Sequence, residues 1–300
     1  MSSAAAPQSL SRRNLLRVGA LAPLAMSAQS GARAQGTPPP FTTSINIEIM
    51  FPRSMPKAER IKAVAAQDVA AYSFWRASEE DQKAMLEAQQ QAGIKCSCVV
   101  GSGGTGRSSG LTMPGAEQKY LDELALGVQM AQRFGGADAI IFPGARHENL
   151  PWEKQRENLI QGLRKAGDLA KEHGIYLVLE PLNRVESPNI AIITAVDAFD
   201  VVEAAAHPNV KVDFDMYHLQ LSEGNLINNL KLGLEKGWIR IVQIGDVPGR
   251  LEPGTGEINY PNIYKVLREV NYSGYVDSEH GTSSTPEHAI QVVKRLAMAS

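Results

Sequence analysis

Residues 175–180 read IYLVLE, a short apolar run that ends in a carboxylate. The stretch just before it, residues 153–172, has a different pattern, because its apolar side chains recur three and four residues apart. Those apolar positions include Leu159, Leu163, Ala166 and Leu169. The run therefore predicts a buried strand, and the preceding stretch predicts an amphipathic helix that packs against the sheet.

Outward from this strand, the same alternation of apolar runs and helical patterns extends over most of the chain. Eight runs predict strands, at residues 44–50, 68–74, 94–100, 138–143, 175–180, 210–215, 239–244 and 274–279. Eight β/α units in a chain of 300 residues favour an α/β fold, a single closed (β/α)8 TIM barrel over residues 44–300. An open doubly wound sheet is the alternative. It usually has a glycine-rich turn after its first strand, and residues 50–53, MFPR, do not form one.

The N-terminus has the features of an export signal. Arg12 and Arg13 precede a weakly apolar stretch, and the sequence ARA at 32–34 has the small-x-small pattern of a signal-peptidase site. We therefore expect a Tat-type signal peptide at 1–34, a proline-rich lead-in at 35–43, and a periplasmic or secreted protein. The apolar stretch is too short for a membrane anchor. The alternative is a disordered tail in which two arginines are adjacent by chance.

Charge and cysteine content bear on partners and on disulfides. The formal net charge is −2 and no basic stripe is visible, so we expect no nucleic-acid partner. Cys96 and Cys98 lie in one predicted strand, where alternate residues share a face. Their parallel Cβ vectors disfavour a disulfide, so we expect two small buried side chains.

Polar residues stand at the ends of four consecutive predicted strands, where barrel enzymes have their active sites. They are Glu180, Asp215, Gln243 and Glu279. This oxygen-rich set suits a hard divalent cation such as Mg²⁺ or Mn²⁺. A cation would also offset the repulsion among three carboxylates at one barrel mouth. Any one of these residues taken alone is more simply explained as a solvated side chain at a strand end.

Longer motifs surround these residues. The run at 243–260, QIGDVPGRLEPGTGEINY, resembles the hydroxypyruvate isomerases, a family of the xylose-isomerase-like TIM barrel superfamily. The segments LEPLN at 179–183 and DMYH at 215–218 resemble the same family, and the likeness extends over about residues 44–298. Ser73 stands where family members commonly carry a glutamate, a departure that bears on substrate recognition.

The resemblance implies roles for six residues. Glu180, Asp215, Gln243 and Glu279 would bind the metal, Glu180 and Glu279 would also be the acid–base pair, and His218 and Arg250 would contact the substrate. The implied reaction is a metal-dependent aldose–ketose isomerisation of hydroxypyruvate or a related small sugar or keto-acid, by proton transfer through an enediolate. Arg250 is suited to pairing with a substrate carboxylate. The simpler alternatives are an exposed loop arginine and a capping histidine.

Other functions fit the same scaffold. One is a ketose 3-epimerase or a glycoside lyase, although epimerases of the superfamily usually place a histidine where Gln243 stands. Another is a non-catalytic periplasmic sugar-binding barrel. Endonuclease IV activity would need further histidines and a basic face that the sequence lacks. We expect a small-molecule substrate, and the protein could be a monomer or a homo-oligomer. The glycine-rich stretch at 101–110 is interpreted as a flexible loop or a lid.

Overall fold

The computed structural model describes residues 38–102 and 105–299. The strands are β1 (Thr42–Asn46), β2 (Ala71–Phe74), β3 (Lys95–Val100), β4 (Asp138–Ile141), β5 (Leu177–Leu179), β6 (Val210–Asp215), β7 (Ile239–Ile244) and β8 (Tyr275–Ser278). Each strand pairs in parallel with the next, and β1 pairs with β8, so the sheet closes into a barrel. The predicted (β/α)8 TIM barrel is confirmed.

Helices connect successive strands. They are α1 (Lys57–Ala65), α2 (Glu79–Ala92), α3 (Thr105–Ser108), α4 (Glu117–Arg133), α5 (Trp152–Glu172), α6 (Ala195–Ala205), α7 (Met216–Ser222), α8 (Leu226–Glu235), α9 (Tyr260–Glu269) and α10 (Pro286–Met298), with a 3-10 turn at Gly110–Thr112. Several begin at a side chain that accepts a hydrogen bond from the backbone N–H three residues later. These caps are Ser78, Thr194, Asn259 and Thr285. Within the described ranges, no helix is both long and apolar enough to cross a membrane.

The largest difference from the predicted strands is at the start of the barrel. β1 begins at Thr42 rather than at residue 44, and it ends at Asn46 although residues 47–50 were predicted to continue it. The Asn46 side-chain oxygen accepts a hydrogen bond from the Glu48 N–H at 2.9 Å, and this local turn replaces the extended chain. The predicted signal peptide and residues 35–37 of the lead-in lie outside the described residues.

A bulge in β3 changes the positions of the two cysteines. Tyr72 pairs with Cys96, but Phe74 pairs with Val99, so β3 has one more residue than β2 over this stretch. The predicted shared face is therefore wrong. Cys96 belongs to the large hydrophobic core, whereas Cys98 belongs to a small cluster of strand and loop residues inside the barrel. Both are buried free thiols, as predicted.

Close packing of α4 against the end of β3 depends on a glycine. A Cβ on Gly127 would lie 2.1 Å from the Gly101 carbonyl oxygen and 2.5 Å from its Cα. These are backbone atoms, so they cannot rotate away. Gly127 thus lets α4 approach the point where the chain leaves β3 for the barrel mouth.

Gly127→Ala is therefore expected to lower the free energy of unfolding by about 1–2 kcal/mol. Overpacking against backbone outweighs the gain of roughly 1 kcal/mol in helix propensity. Chemical denaturation measures the change, and the neighbouring Leu126→Ala, at a side chain 66% exposed, is the control, with an expected effect within about 0.5 kcal/mol. A Gly127→Ala protein as stable as wild type would show that α4 is not held against Gly101.

Candidate active site

A cavity of about 520 Å³ opens at the barrel mouth, where the C-terminal ends of the strands meet. Four of the six predicted site residues line it: Glu180, His218, Arg250 and Glu279. The other two, Asp215 and Gln243, are at the ends of β6 and β7 and are 1% and 0% exposed. The topology thus brings residues from the second half of the chain to one end of the barrel.

Asp215 both ends β6 and caps α7. Its Oδ1 accepts hydrogen bonds from the N–H groups of Tyr217 at 2.8 Å and His218 at 3.4 Å, so the helix starts directly at the strand end. His218 consequently lies one turn away, with Nε2 3.6 Å from Asp215 Oδ2 and 3.4 Å from Glu180 Oε1. One ligand atom each of Glu180, Asp215 and His218 lie within 4.8 Å of one another.

Hydrogen bonds determine the tautomer of His218. Its Nδ1 lies 3.3 Å from the backbone nitrogen of Asn183 and 2.7 Å from the side-chain Nδ2 of that residue. Both of these groups can only donate, so Nδ1 accepts and the proton of the neutral ring is on Nε2. Burial first, and the positive charge of Arg250 second, lower the pKa of His218 to about 3. His218 is therefore a neutral donor whose N–H faces the carboxylates.

Arg250 connects the carboxylates of different strands. Its Nη2 donates to Asp215 Oδ2 at 3.1 Å and to Glu279 Oε2 at 2.8 Å, and Nη1 lies 3.4 Å from Glu186 Oε2. The guanidinium also packs over the ring of Tyr217, 4.7 Å from its centroid. Glu279, which follows β8, is thus joined to the β6 side of the site through a shared arginine.

The loop that carries Arg250 is organised around Asp246. The Asp246 carboxylate accepts hydrogen bonds from four backbone N–H groups, those of Val247, Gly254, Gly256 and Ile258. A Cβ on Gly256 would lie 1.8 Å from the Val247 carbonyl oxygen, so only glycine fits there. This network accounts physically for the motif at 243–260, because it fixes the path of the chain around Arg250.

Residues that the sequence analysis missed complete the site. Asn46 Nδ2, at 3.3 Å, and Trp75 Nε1 both donate to Glu279 Oε1. Glu186 accepts hydrogen bonds from Tyr217 Oη at 2.8 Å and from Arg250. Asn46 and Trp75 stand at or just after the ends of β1 and β2, so the strand-end argument, applied to the first half of the barrel, would have included them.

Burial raises the pKa of all three carboxyls. For Glu180 the pKa lies well above its ordinary value, because the charges of Glu279 and Asp215 add to the effect of burial. For Asp215 and Glu279 burial also raises the pKa, but Arg250 opposes it, and it hydrogen-bonds directly to both. The three groups together form a buried acidic site, and Arg250 contacts two of its carboxylates directly.

Gln243 lies next to this cluster, inside the barrel. It is the register partner of Asp215 on β6 and of Asp277 on β8, so the three side chains point to the same face. Gln243 Nε2 donates to Asp277 Oδ2 at 3.2 Å, and Ser73 Oγ donates to the same oxygen at 2.8 Å. The Oε1 atom of Gln243 is buried and has no hydrogen-bond partner among the described residues.

These residues fit a hard divalent cation. Carboxylate oxygens of Glu180 and Asp215 are close together, and the free Gln243 Oε1 is a further oxygen donor on a neighbouring strand. A cation would also lower the raised pKa values of the carboxyls, because it offsets their mutual repulsion. A ring nitrogen of His218 lies within 4.8 Å of ligand oxygens of Glu180 and Asp215. In this tautomer, however, the His218 Nε2 bears the proton and is not free to coordinate an ion.

Comparison with known proteins identifies the family. The xylose isomerase-like TIM barrel family matches residues 59–297. The chain belongs to this family. Hydroxypyruvate isomerase of Escherichia coli K12 is 30% identical over 179 residues, which cover 60% of this chain and 69% of that protein. The 2-oxo-tetronate isomerase of Haemophilus influenzae is 30% identical over 239 residues, 78% of this chain and 91% of that protein.

Solved structures show the same xylose isomerase-like barrel. A crystal structure described as AP endonuclease, family 2, from Brucella melitensis has a TM-score of 0.77 and 26% identity, and covers 86% of this chain and 99% of that one. The 3-keto-D-glucoside 4-epimerase of Escherichia coli, at 19% identity and a TM-score of 0.72, covers 86% of this chain and 100% of that one and shares the fold. The predicted family is confirmed, and the names of its relatives agree with an isomerase; the metal, the residue roles and the export stay predictions.

Proposed function

We propose that this protein is a divalent-metal-dependent isomerase that interconverts the 2-hydroxyaldehyde and 2-hydroxyketone forms of a small keto-acid or sugar, such as hydroxypyruvate, through an enediolate. The observation that carries the proposal is the convergence of the buried carboxylates of Glu180, Asp215 and Glu279 beside a cavity, with Arg250 bridging two of them. The similarity to hydroxypyruvate and 2-oxo-tetronate isomerases supports a small keto-acid as substrate.

Glu180, Asp215, Gln243 and Glu279 are the residues that would hold the cation, for which Mg²⁺ and Mn²⁺ are the best candidates. When bound, the cation supplies Lewis-acid stabilisation of the negative charge that develops on the substrate oxygens. The free Oε1 of Gln243 supports its inclusion in this set.

Glu180 and Glu279 are proposed to move the proton between the two substrate carbons. Glu279 accepts hydrogen bonds from Asn46, Trp75 and Arg250, and these donors favour its ionised form, which suits a base. Glu180 lines the same cavity from the β5 side and is proposed as the group that exchanges the proton with Glu279 through the substrate.

His218 and Arg250 are proposed to orient the substrate. The neutral His218 ring, held through Nδ1 by Asn183, presents its Nε2–H toward the acidic cluster and can donate to a substrate oxygen there. Arg250 lines the same cavity and keeps Asp215 and Glu279 in place. Both residues would therefore hold the reacting carbons within reach of the two glutamates.

The test follows proton exchange during turnover. In D₂O, with Mg²⁺ or Mn²⁺, the protein should convert hydroxypyruvate to its aldehyde isomer and incorporate deuterium at the carbon that gains hydrogen. Chelation should stop both changes, and added metal should restore them. Binding without exchange or conversion of hydroxypyruvate, 2-oxo-tetronate or small aldoses would overturn the proposal in favour of a sugar-binding barrel. Inversion of a ketose carbon without aldose–ketose conversion would favour an epimerase.

We also propose that the protein is exported through the Tat route. The twin arginines at 12 and 13 and the ARA sequence at 32–34 support this proposal. Expression of the full chain should yield a periplasmic protein that begins at residue 35. Replacement of both arginines by lysine should leave the full-length precursor in the cytoplasm, and unchanged export of that variant would contradict the proposal.

A further inference from the structure

Four basic side chains line the cavity in the described part of the chain: Lys57, Arg76, Arg107 and Arg250. Two of them are already paired with acids. Lys57 forms an ion pair with Glu48, and Arg250 contacts Asp215, Glu279 and Glu186. A substrate carboxylate would have to compete with these carboxylates for either cation. The charge of Arg250 in particular is needed to compensate buried acids.

Arg107 is in a different position. Its guanidinium packs over the ring of Phe142, 4.4 Å from the ring centroid. Across the described ranges, no carboxylate oxygen lies within 4.0 Å of the Arg107 guanidinium nitrogens, so Arg107 forms no ion pair there. Phe142 is 3% exposed, so the arginine lies on a fixed apolar surface at the cavity wall. Stacking leaves the edge of a guanidinium free to donate.

The backbone next to Arg107 is held by close packing. A Cβ on Gly106 would lie 2.5 Å from Ser102 Oγ, and Ser102 Oγ accepts a hydrogen bond from the Phe142 N–H at 3.0 Å. The turn that carries Arg107 is therefore packed on the same short segment that supplies the aromatic ring. This arrangement directs Arg107 to the cavity wall, although α3 itself is only a single turn.

Arg107 also faces the acidic cluster. It lines the same cavity as Glu180, His218 and Glu279, and its guanidinium is stacked on Phe142. Arg76 instead lies near the Gly101 carbonyl oxygen, at 3.5 Å. Of the two cavity arginines without an acidic partner, Arg107 is therefore the one that is held by an aromatic ring, whereas Arg76 contacts a backbone carbonyl.

We infer that Arg107 binds the carboxylate of the substrate, and that the protein is therefore selective for small 2-keto and 2-hydroxy acids over neutral sugars. This inference rests on the proposed function, because it concerns the substrate of the same site. It assigns the anion-binding role to Arg107, while Arg250 remains with the carboxylates of the protein.

Electrostatics explains why such a residue is needed. An acid that enters a mouth lined by several carboxylates meets repulsion, and a guanidinium free to form two parallel hydrogen bonds offsets it. A neutral sugar of the same size gains nothing from that contact. Arg107 therefore increases the affinity for anionic substrates and leaves the affinity for neutral sugars unchanged.

Binding of a non-reactive acid tests the inference without turnover. Glycerate has the carboxylate and hydroxyls of the proposed substrates but no carbonyl to isomerise, and glycerol is its neutral counterpart. Calorimetry on the metal-loaded protein should show that Arg107→Met raises the Kd for glycerate by about 10- to 100-fold, with Arg107→Lys between the two. The weak affinity for glycerol should not change. Circular dichroism checks the fold of each variant.

Arg146→Met is the matched control. Arg146 is also exposed and stacked on an aromatic ring, 4.2 Å from the centroid of Trp152, but it does not line this cavity. Its replacement removes the same charge and should leave the Kd for glycerate within about 2-fold of wild type. Equal losses in Arg107→Met and Arg146→Met, or no loss in Arg107→Met, would overturn the inference.

The two proposals fail in different ways. Glycerate binding that depends on Arg107 in a protein without isomerase activity would refute the proposed reaction and support the anion site. Isomerisation of hydroxypyruvate with a KM that is unchanged in Arg107→Met would support the reaction and refute the anion site. In the supporting case, Arg107→Met raises KM for the keto-acid more than it lowers kcat.

Discussion

Glu180→Gln is expected to lower kcat/KM for isomerisation by about 10³-fold or more, with the fold retained. Glutamine keeps the size and one oxygen donor of Glu180 but cannot take up or release the proton. The side chain is 4% exposed, and its carboxyl pKa is raised well above its ordinary value by burial first and by Glu279 and Asp215 second. Deuterium incorporation in D₂O under saturating metal measures the step directly.

Two further variants make this result specific. Glu279→Gln should cause a loss of the same order, because it removes the other member of the pair. Glu157→Gln makes the same chemical change on the exposed face of α5, where Glu157 forms an ion pair with Lys154, and should keep full activity. Metal content is measured for each variant. Full activity in Glu180→Gln or Glu279→Gln would remove that residue from the acid–base role.

The barrel was predictable because its signal is repeated along the chain. A strand such as β6 is recognised from the period of its side chains alone, because it is an apolar run that ends in Asp215. Eight such runs favour a sheet that closes into a barrel. Topology then places every strand end at one rim. For that reason Glu180, Asp215 and Glu279 could be assigned to one site without any knowledge of distances.

The contacts within the site were not predictable in the same way. The bridge from Arg250 to Asp215 and Glu279 depends on the conformation of a loop that hydrogen bonds to Asp246 determine, and no sequence period records it. The bulge in β3 adds one residue, so the Cys98 side chain points to the opposite face of the sheet from Cys96. Arg107 was part of a glycine-rich stretch interpreted as a loop or lid, and its stacking on Phe142 appears only in three dimensions.

Arg250→Met is expected to lower the free energy of unfolding of the metal-free protein by about 3–5 kcal/mol near neutral pH. Methionine keeps a long side chain, but Asp215 and Glu279 lose the cation that contacts both, and their side chains are only 1% and 5% exposed. Denaturant unfolding measures the loss. Arg156→Met, which breaks a surface pair with Asp200, is the control, with an expected loss below about 1 kcal/mol.

The pH dependence identifies the cause of that loss. Burial raises the pKa of Asp215 and of Glu279, and without the opposing charge of Arg250 both values rise further. The folded variant then binds more protons than its unfolded chain, so its stability falls as pH rises from about 4 through the folded pKa values. The deficit against wild type should be largest near about pH 8 and smaller near about pH 5. Added Mg²⁺ or Mn²⁺ should reduce it, because a cation compensates the same carboxylates. A deficit that is independent of both pH and metal would show that Arg250 contributes by packing rather than by charge.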